Sequence, residues 1–540
     1  MPRPAHAAAA LLALASASAP ASAEGGPPPD RFGRIALAYA DAMLAHGRDT
    51  YGEGEVPSGD SKRSGLFLSA MDRRTLTPLG HVPPVPEGAR AGDRVYDRTA
   101  PEAERRLVGC NPGHDQQLYA LLYGLSEATG EPRYAAAADA ALGWFFANAR
   151  SGPDASVEVP TGLVAWGEHL SWDPFRDRAI SSIWSFRTHE FYGPWRLWHR
   201  VPPGAPGAAA GVDAFARGLW EQQVLDHETG LFSRHGSYDG EDPRDPKPLD
   251  FPRHAGYLID AWSAAVADPA VRGSDAALLH AIDVLLARYE KKRANVLAAG
   301  GPEPGLVPFT SSTRPRAEIP ESTFANVASS LELAIEAHHA AGRLEGTADP
   351  ELVRRLRAFG QTEDEVQLGL DHRPRGDGLV KGLDSRDGRV LVRTAGLWGQ
   401  AYGGGVMAQD ARLFIDRAAQ AEGPAADRYR ELVVGVAEAY LAAPIEPVWP
   451  QEAADAIEVL LFAHGLEPGR GFLGHAVAVA DAAAGLFFDG GPLPSATPDA
   501  DHYETITGGD DLALALFHLD RRLAAGDGPP PSPAAAGSGG

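Results

Sequence analysis

The chain has 540 residues, 44% of them hydrophobic, which is enough for an extensive buried core and excludes wholesale disorder. Its 49 Lys and Arg residues against 72 Asp and Glu residues give a formal net charge of -23. A nucleic-acid-binding surface needs clustered cations, so this balance argues against nucleic-acid partners. The single cysteine, Cys110, excludes an internal disulfide, a thiolate zinc site and an iron–sulfur cluster, and we expect it to be a buried thiol.

The amino-terminal segment has the pattern of a secretory signal peptide: Arg3, an apolar run, and the small residues Ala21, Ser22 and Ala23 before Glu24. No later apolar run reaches about 18 residues without charges, so no membrane span is predicted. We therefore expect a periplasmic or secreted protein. The predicted division is a signal peptide (1–23), a Pro/Gly-rich linker (24–31), one catalytic domain (32–525) and a disordered Pro/Ala/Gly-rich tail (526–540).

Between the termini, apolar residues recur every three or four positions in fourteen segments separated by Gly, Pro or Asp. The predicted helices lie near 34–47, 116–128, 134–149, 187–200, 212–225, 254–267, 274–292, 322–341, 349–359, 405–420, 424–442, 451–464, 471–486 and 510–523. Short turns alternate with longer loops, as in consecutive antiparallel hairpins. This order predicts an all-α fold, an (α/α) toroid of seven or six helical hairpins whose inner helices are more apolar than the outer ones. Only 66–71 and 390–393 are strand candidates.

In a helical toroid, the connecting loops converge at one mouth, which offers a concave binding surface. Aromatic and ionisable residues concentrate between 111 and 257, in the stretches 161–173, 184–192, 227–236 and 251–257. Sugar rings stack on Trp and Tyr faces while charged groups hold carboxylates or hydroxyls, so these stretches suit a carbohydrate cleft. The candidate substrate contacts are Arg187, Arg253, Trp166, Trp172, Tyr257, His114 and Tyr402. Two alternatives stay open: the aromatic residues could be core, and Arg253 could pair with Asp250 or Asp260.

Three residues in separate loops fit a divalent metal site built from one carboxylate and two imidazoles: His169, Glu190 and His235. Ordinary hydrogen-bonded loop residues are the alternative interpretation. Their order, a His, a Glu 21 residues later and an Arg-His pair some 45 residues further on, resembles polysaccharide lyase family 2. That family contains the periplasmic pectate lyases with an (α/α)7 barrel.

The resemblance implies a function for this constellation. His169, Glu190 and His235 would bind a transition metal such as manganese, with calcium as the alternative, and Arg234 would be the Brønsted base. The substrate would be an acidic polysaccharide of the pectate type. The chain length, the export signal and the predicted helix count agree with the family.

The implied reaction is β-elimination, in which the C5 proton of a uronate is removed. That proton becomes acidic once the charge of the adjacent carboxylate is neutralised, which a metal does as a Lewis acid. Arginine is a costly base, because holding it neutral at pH 7 costs roughly 7 kcal/mol. The rival bases are Tyr192, His189 and His254. Arg187 and Arg253 would clamp substrate carboxylates through their guanidinium groups.

Other functions remain open from the sequence. The net charge of -23 repels a polyanion at long range, although salt screens that field beyond about 8 Å. A glycoside hydrolase would need two carboxylates about 5.5 Å or roughly 6.5 to 9.5 Å apart. The available acids are Glu168, Asp173, Glu190 and Glu504. A sugar epimerase using His169 and His254, or a non-catalytic glycan-binding protein, are further alternatives. The sequence does not predict the oligomeric state.

Overall fold

The computed structural model describes residues 31–50, 64–79, 109–149, 163–164, 170–174, 178–181, 195–198, 207–232, 251–269, 271, 275–308, 323–399 and 405–526. This part of the chain is dominated by α-helices, which confirms the predicted all-α class. None of the helices within it is long and apolar enough to cross a membrane.

The described residues form thirteen α-helices. They are α1 Arg31–His46, α2 Gln116–Thr129, α3 Arg133–Asn148, α4 Ala208–Gly218, α5 Pro252–Ala267, α6 Asp275–Ala298, α7 Val327–Leu344, α8 Pro350–Gly369, α9 Met407–Gln420, α10 Gly423–Ala442, α11 Pro450–Leu466, α12 Phe472–Ala483 and α13 Gly509–Ala525. Each corresponds to one of the fourteen predicted helices. The remaining prediction, 187–200, lies largely outside the described residues.

The helices are arranged in two concentric layers. In the inner layer α5, α7, α9, α11 and α13 pack side by side in this order, and α13 packs against α2. The helices α1, α3, α4, α6, α8, α10 and α12 form the outer layer. Residues 195–198 lie between α2 and α5: the Trp195 ring is 6.5 Å from that of Tyr119, and Trp198 Nε1 donates to Asp260 Oδ2 at 2.8 Å. The helical hairpins therefore close into a toroid.

The inner helices are more buried than the outer ones, but they are not uniformly apolar. Fourteen residues of α5 and fourteen of α11 are buried, against five in the outer helix α12. Close packing of α5 on α7 depends on Gly256, where an added Cβ would lie 3.0 Å from Leu333 Cα. The buried residues of α11 include Glu452, Asp455 and Glu458, so polar side chains point into the toroid.

Nine short strands lie in the described connections: β1 Ala70–Asp72, β2 Leu170–Asp173, β3 Arg178–Ser181, β4 Val224–Asp226, β5 Leu231–Phe232, β6 Phe324–Asn326, β7 Leu379–Asp384, β8 Val390–Thr394 and β9 His502–Glu504. They pair antiparallel as β1–β9, β2–β3, β4–β5 and β6–β7–β8. The strand predicted at 390–393 is β8. The one predicted at 66–71 is shorter, because only its last residues pair with β9, while Phe67 makes an isolated bridge to Arg48. Strand β9, which is fully buried, was not predicted from the sequence.

A buried ion pair joins three consecutive helices of the ring. Arg417 of α9 donates from Nε and Nη2 to the two carboxylate oxygens of Asp364 on α8, both at 2.8 Å. The Tyr429 hydroxyl of α10 donates to the same carboxylate at 2.9 Å. The guanidinium lies against Gly360, where a Cβ would be 2.9 Å from Nη2. Gly360 therefore leaves room for the Arg417 guanidinium, and the Tyr429 phenol adds a hydrogen bond to Asp364.

We expect Arg417→Met to lower the free energy of unfolding by about 3 to 5 kcal/mol, because it leaves the carboxylate of Asp364 buried and without its cation. Chemical denaturation followed by circular dichroism measures the loss. Arg354→Met, which breaks an exposed pair with Glu351 on the surface of α8, is the control and should leave the midpoint nearly unchanged. Equal losses in the two variants would contradict a special role for the buried pair.

Candidate functional site

The amino-terminal ends of the inner helices meet at one end of the toroid. At the start of α5, the Arg253 backbone N–H donates to Ser329 Oγ in the first turn of α7 at 3.0 Å. At Gly508, just before α13, an added Cβ would lie within 2.8 Å of backbone atoms of Gln451 in α11. The inner helices are thus parallel, and the positive ends of their dipoles converge. This end is the mouth, and it favours an anionic ligand.

Five charged or phenolic side chains from four different elements meet at this mouth, and we call them the mouth cluster: Arg253, Tyr257, Glu332, Lys381 and Asp410. The Tyr257 hydroxyl donates to Glu332 Oε2 at 3.1 Å. Burial raises the pKa of Glu332, and the nearby Asp410 carboxylate raises it further, whereas Arg253, the Tyr257 hydrogen bond and Lys381 lower it. Burial and the neighbouring Glu332 also raise the pKa of Tyr257. The cluster therefore mixes two cations with two acids in a partly desolvated setting.

Deeper in the toroid lies a second group of ionised residues, the lumen network. Arg196 Nη1 donates to Glu336 Oε2 of α7 at 2.7 Å, and Asp416 of α9 is 3.7 Å from the same guanidinium. Arg412 Nη1, one turn earlier on α9, donates to Asp455 Oδ1 of α11 at 2.7 Å. Burial raises the pKa of Glu336 to about 8 although Arg196 opposes the shift. The network links three inner helices and residue 196 across the lumen.

A third group is the acidic pair at the start of α13. Asp510 is fully buried and accepts a hydrogen bond from Thr505 Oγ1 at 2.9 Å. Burial and the adjacent Asp511 raise the pKa of Asp510 to about 8. Burial and Asp510 likewise raise the pKa of Asp115 at the start of α2. These acids lie under the same end of the toroid as the mouth cluster.

The structure brings three predicted site residues together at the start of α5. Arg253 and Tyr257 are in the mouth cluster, and the His254 ring is 5.5 Å from that of Tyr257. His254, one of the candidate bases, is only 3% exposed, so little of its surface is accessible to a ligand at the mouth. Of the two alternative ion-pair partners of Arg253, Asp260 pairs with Arg343 and accepts from Trp198 Nε1, and Asp250 lies outside the described residues.

Two other predicted contacts do not belong to the mouth cluster. Trp172 is 4% exposed in β2, and its ring packs edge-on against Trp144 at 5.2 Å. Its backbone bridges to Cys110, which is buried as predicted. His114 is half-buried just before α2, where its backbone N–H donates to the Asn111 carbonyl at 2.8 Å.

The other predicted site residues lie outside the described residues. They are the metal ligands His169, Glu190 and His235, the bases Arg234, Tyr192 and His189, and the contacts Arg187, Trp166 and Tyr402. Their roles stay predictions. Within the part of the chain that the structure describes, no group of three His, Cys, Asp or Glu residues could hold a metal ion.

Glu332, Lys381 and Asp410 were missed by the sequence analysis. Glu332 is the first of the polar residues Glu332, Glu336 and His339, which recur at helical spacing along the otherwise apolar α7. A polar stripe on a predicted inner helix is therefore a signal that could have found it. Lys381 and Asp410 have no comparable pattern.

We expect Asp510→Asn to be more stable than the wild type at pH 8 and close to it at pH 4. In the unfolded chain this carboxyl has its ordinary pKa of 3.8, and folding raises it to about 8, so wild-type stability is lost as the pH rises between these values. An amide can still accept from Thr505 but does not ionise. The gain is at most about 1.36 kcal/mol for each unit of the raised pKa.

Thermal melts between pH 4 and pH 8 measure this effect, with Asp427→Asn on the exposed face of α10 as the control. The electrostatic description of Asp510 would be wrong if Asp510→Asn kept the wild-type slope of stability against pH.

Solved structures similar to this chain are carbohydrate-active proteins of low identity. An unsaturated glucuronyl hydrolase specific for heparin is 10% identical, with 92% of this chain and 98% of that chain covered and a TM-score of 0.42. A sugar epimerase from a ruminal bacterium is 12% identical, with coverages of 59% and 82% and a TM-score of 0.40. An inactive alpha-1,6-mannanase variant of Salegentibacter sp., in complex with alpha-1,6-mannotetrose, is 10% identical, with coverages of 92% and 100% and a TM-score of 0.39.

The family comparison concerns a defined part of the chain. Residues 95–252 match the family model described as periplasmic pectate lyase. This range contains His169, Glu190, Arg234 and His235, on which the resemblance was predicted. The match supports a carbohydrate-active enzyme. Over residues 95–252, the chain is similar to the periplasmic pectate lyases, as its sequence predicted.

Proposed function

We propose that the chain is an exported polysaccharide lyase that cleaves a polyuronate of the pectate type by metal-assisted β-elimination. The match of residues 95–252 to the periplasmic pectate lyase model carries this proposal. The proposed location is periplasmic or secreted, with residues 1–23 as the signal peptide. The proposed partner is an acidic polysaccharide or oligosaccharide.

The electrostatics of the mouth support an anionic substrate. Arg253 and Lys381 lie where the amino-terminal ends of α5, α7 and α9 converge, so the mouth offers cations and positive helix ends to an anion although the whole chain is strongly negative. At physiological salt, charges beyond about 8 Å are largely screened, and the groups lining the mouth decide what binds. A uronate carboxylate fits the guanidinium fork of Arg253.

The proposed roles follow the resemblance. His169, Glu190 and His235 would hold a divalent metal, manganese or a similar transition metal with calcium as the alternative, and a bound metal neutralises charge on a uronate carboxylate. Arg234 would accept the C5 proton, with Tyr192, His189 and His254 as the other candidates. Arg187 and Arg253 would hold substrate carboxylates. The candidate sugar contacts are Trp166, Tyr257, His114 and Tyr402, whereas the Trp172 ring is buried in the core against Trp144.

The elimination breaks the C5–H and C4–O bonds of one uronate and forms a C4–C5 double bond. The proton passes to the base, and the departing sugar keeps the glycosidic oxygen, which is protonated. The product with a new non-reducing end is therefore an unsaturated uronate, which neither hydrolysis nor epimerisation produces.

A glycoside hydrolase is the second candidate, because buried acids with raised pKa values line the toroid. Glu332 and Glu336 lie one turn apart on α7, and burial raises the pKa of both. A carboxyl that stays protonated near neutral pH can act as a general acid. Two acids named from the sequence for this role, Asp173 and Glu504, are each only 1% exposed. A hydrogen bond of 2.7 Å joins Glu504 Oε1 to His502 Nε2.

We expect the purified protein to release a product that absorbs at about 235 nm from polygalacturonate, glucuronan or alginate. This activity should be lost in EDTA and return with Mn²⁺. Absorbance follows elimination directly, because hydrolysis gives no such chromophore. Reducing ends without the chromophore would instead support the hydrolase.

We expect His235→Ala to abolish the response of this activity to added metal, since the proposed site would lose one of its two imidazoles. His280→Ala, an exposed histidine of the outer helix α6, is the matched control and should titrate with metal like the wild type. A His235→Ala variant whose activity is lost in chelator and restored by metal as in the wild type would contradict the role of His235 as a ligand.

A further inference from the structure

A cleft rich in arginine lies on the outer layer of the toroid. It is lined by the turn between α8 and β7, by one face of α10 and by the turn between α11 and α12, and its volume is about 660 Å³. Its charged lining residues are five arginines and three acids: Arg373, Arg375, Arg428, Arg430, Arg470, Asp427, Glu431 and Glu467. Cations are therefore in excess here, whereas acids outnumber cations by 72 to 49 in the whole chain. We call this site the arginine cleft.

The turn that carries Arg373 and Arg375 has a fixed backbone. Arg373 and Gly378 exchange two backbone hydrogen bonds, both 2.9 Å long. The Pro374 ring packs on Gly435 of α10, where an added Cβ would lie 2.6 Å from Pro374 Cγ. The turn is thus held against α10, and its backbone needs no reordering to receive a ligand.

Two guanidinium groups from separate turns converge on one carboxylate. Glu438 of α10 is only 11% exposed; its Oε2 contacts Arg375 and its Oε1 contacts Arg470. Arg470 also donates to Glu467 at 2.7 Å. Because each guanidinium has five N–H donors, these two acids leave donors of both arginines unused. The side chains of Arg375 and Arg470 are 66% and 46% exposed, so an anion in the cleft can reach them.

The other arginines of the cleft are held by exposed ion pairs. Arg430 donates to Asp427 at 2.8 Å and Arg428 donates to Glu431 at 3.4 Å, each within α10. Arg373 is paired in the same way with acids of its own turn. Exposed pairs of this kind contribute only about 0 to 1 kcal/mol to stability. A carboxylate of a ligand can therefore replace the partner acid at little cost.

The arginine cleft is separate from the mouth. Leu466, which lines the cleft, is the last residue of α11, and the first residue of that helix, Pro450, is at the mouth. The 17 residues of α11 put these two ends roughly 24 Å apart. A trisaccharide is shorter than this distance, whereas a polysaccharide can extend from one site to the other.

We propose that the arginine cleft is a second polysaccharide-binding site, which holds one stretch of an acidic polysaccharide while another stretch of the same chain occupies the mouth. This inference rests on the proposed function for the substrate class, and it assigns that substrate a site outside the ring. A guanidinium fork matches a carboxylate. A polyuronate carries a carboxylate on every sugar, so one chain can engage several arginines together.

The composition of the cleft indicates what it recognises. The lining residues within the described part of the chain include no Trp, Tyr or Phe, so sugar rings have no aromatic face to stack on. Recognition would therefore depend on charge and not on the identity of the sugar. Binding at the cleft would raise the effective concentration of the same polymer at the mouth.

Pulsed hydrogen exchange followed by mass spectrometry locates the bound polymer. The protein is mixed with Mn²⁺ and excess polygalacturonate, and the pulse is short enough that most of the polymer is intact at its end. We expect slower exchange of the amides in 372–376 and 466–470. The fully methyl-esterified polymer should leave both segments unchanged, because it has no charge.

Arg375→Gln combined with Arg470→Gln tests what the cleft contributes. KM for polygalacturonate should rise on the order of tenfold, because charge-assisted hydrogen bonds of two arginines are lost. KM for the shortest oligogalacturonate that the wild type cleaves should stay the same. Adding Glu438→Gln removes the carboxylate that has lost both cations, and this triple variant should behave in the same way.

Arg217→Gln combined with Arg354→Gln is the matched control. It removes two exposed, paired arginines from the outer helices α4 and α8, so the net charge changes by the same amount. Its KM for both substrates should equal that of the wild type.

The outcomes separate the two proposals. Unchanged exchange in both segments, with a wild-type KM for the polymer in the double and triple variants, overturns this inference and leaves the proposed function standing. Slower exchange with polyglutamate but not with polygalacturonate would assign the cleft to an acidic protein and overturn it as well. Slower exchange with polygalacturonate in a protein that releases no unsaturated product keeps the cleft and overturns the lyase. A wild type that neither binds nor cleaves any polyuronate overturns both.

Discussion

The closed ring of parallel inner helices is the constraint on which the rest of the molecule depends. Once the ring is closed, carboxylates that point inward are almost fully buried, so each needs a cation from a neighbouring element. The pairs Arg196–Glu336 and Arg412–Asp455 meet this need across the lumen. The same parallel arrangement brings six amino-terminal helix ends of the described chain to one mouth. The packing of the helices therefore also determines the electrostatics at the mouth.

This geometry offers a way for a strongly acidic chain to bind the acidic sugar that we propose as its substrate. The charge of -23 is spread over the whole sequence, whereas Arg253 and Lys381 sit where the helix dipoles converge. A bound sugar responds to the nearby groups, because salt screens the distant ones. The short strands that precede the inner helices place residues such as Lys381 at the same end.

The helices were predictable because their apolar periodicity is local: each of the thirteen described helices overlaps a predicted segment. The ring followed from the regular pairing of hairpins. The mouth cluster was only half predictable, since Arg253 and Tyr257 stand in an aromatic-rich stretch, whereas Lys381 and Asp410 become neighbours only through the packing of β7 against α9. Strand β9 was missed for a similar reason, because its partner β1 is more than 400 residues away in the sequence. Long-range pairings leave no periodic signal in a single sequence.

The most direct measurement of the central claim, that the chain breaks a polyuronate by elimination, is the mass of the products formed in water enriched in heavy oxygen. The account predicts that the new non-reducing ends are one water lighter than those of the hydrolysis products. It also predicts that bond cleavage incorporates no heavy oxygen from the solvent when the labelled digest is reduced at once, so that the anomeric oxygen no longer exchanges. Saturated products that carry one solvent oxygen for each bond cleaved would contradict it.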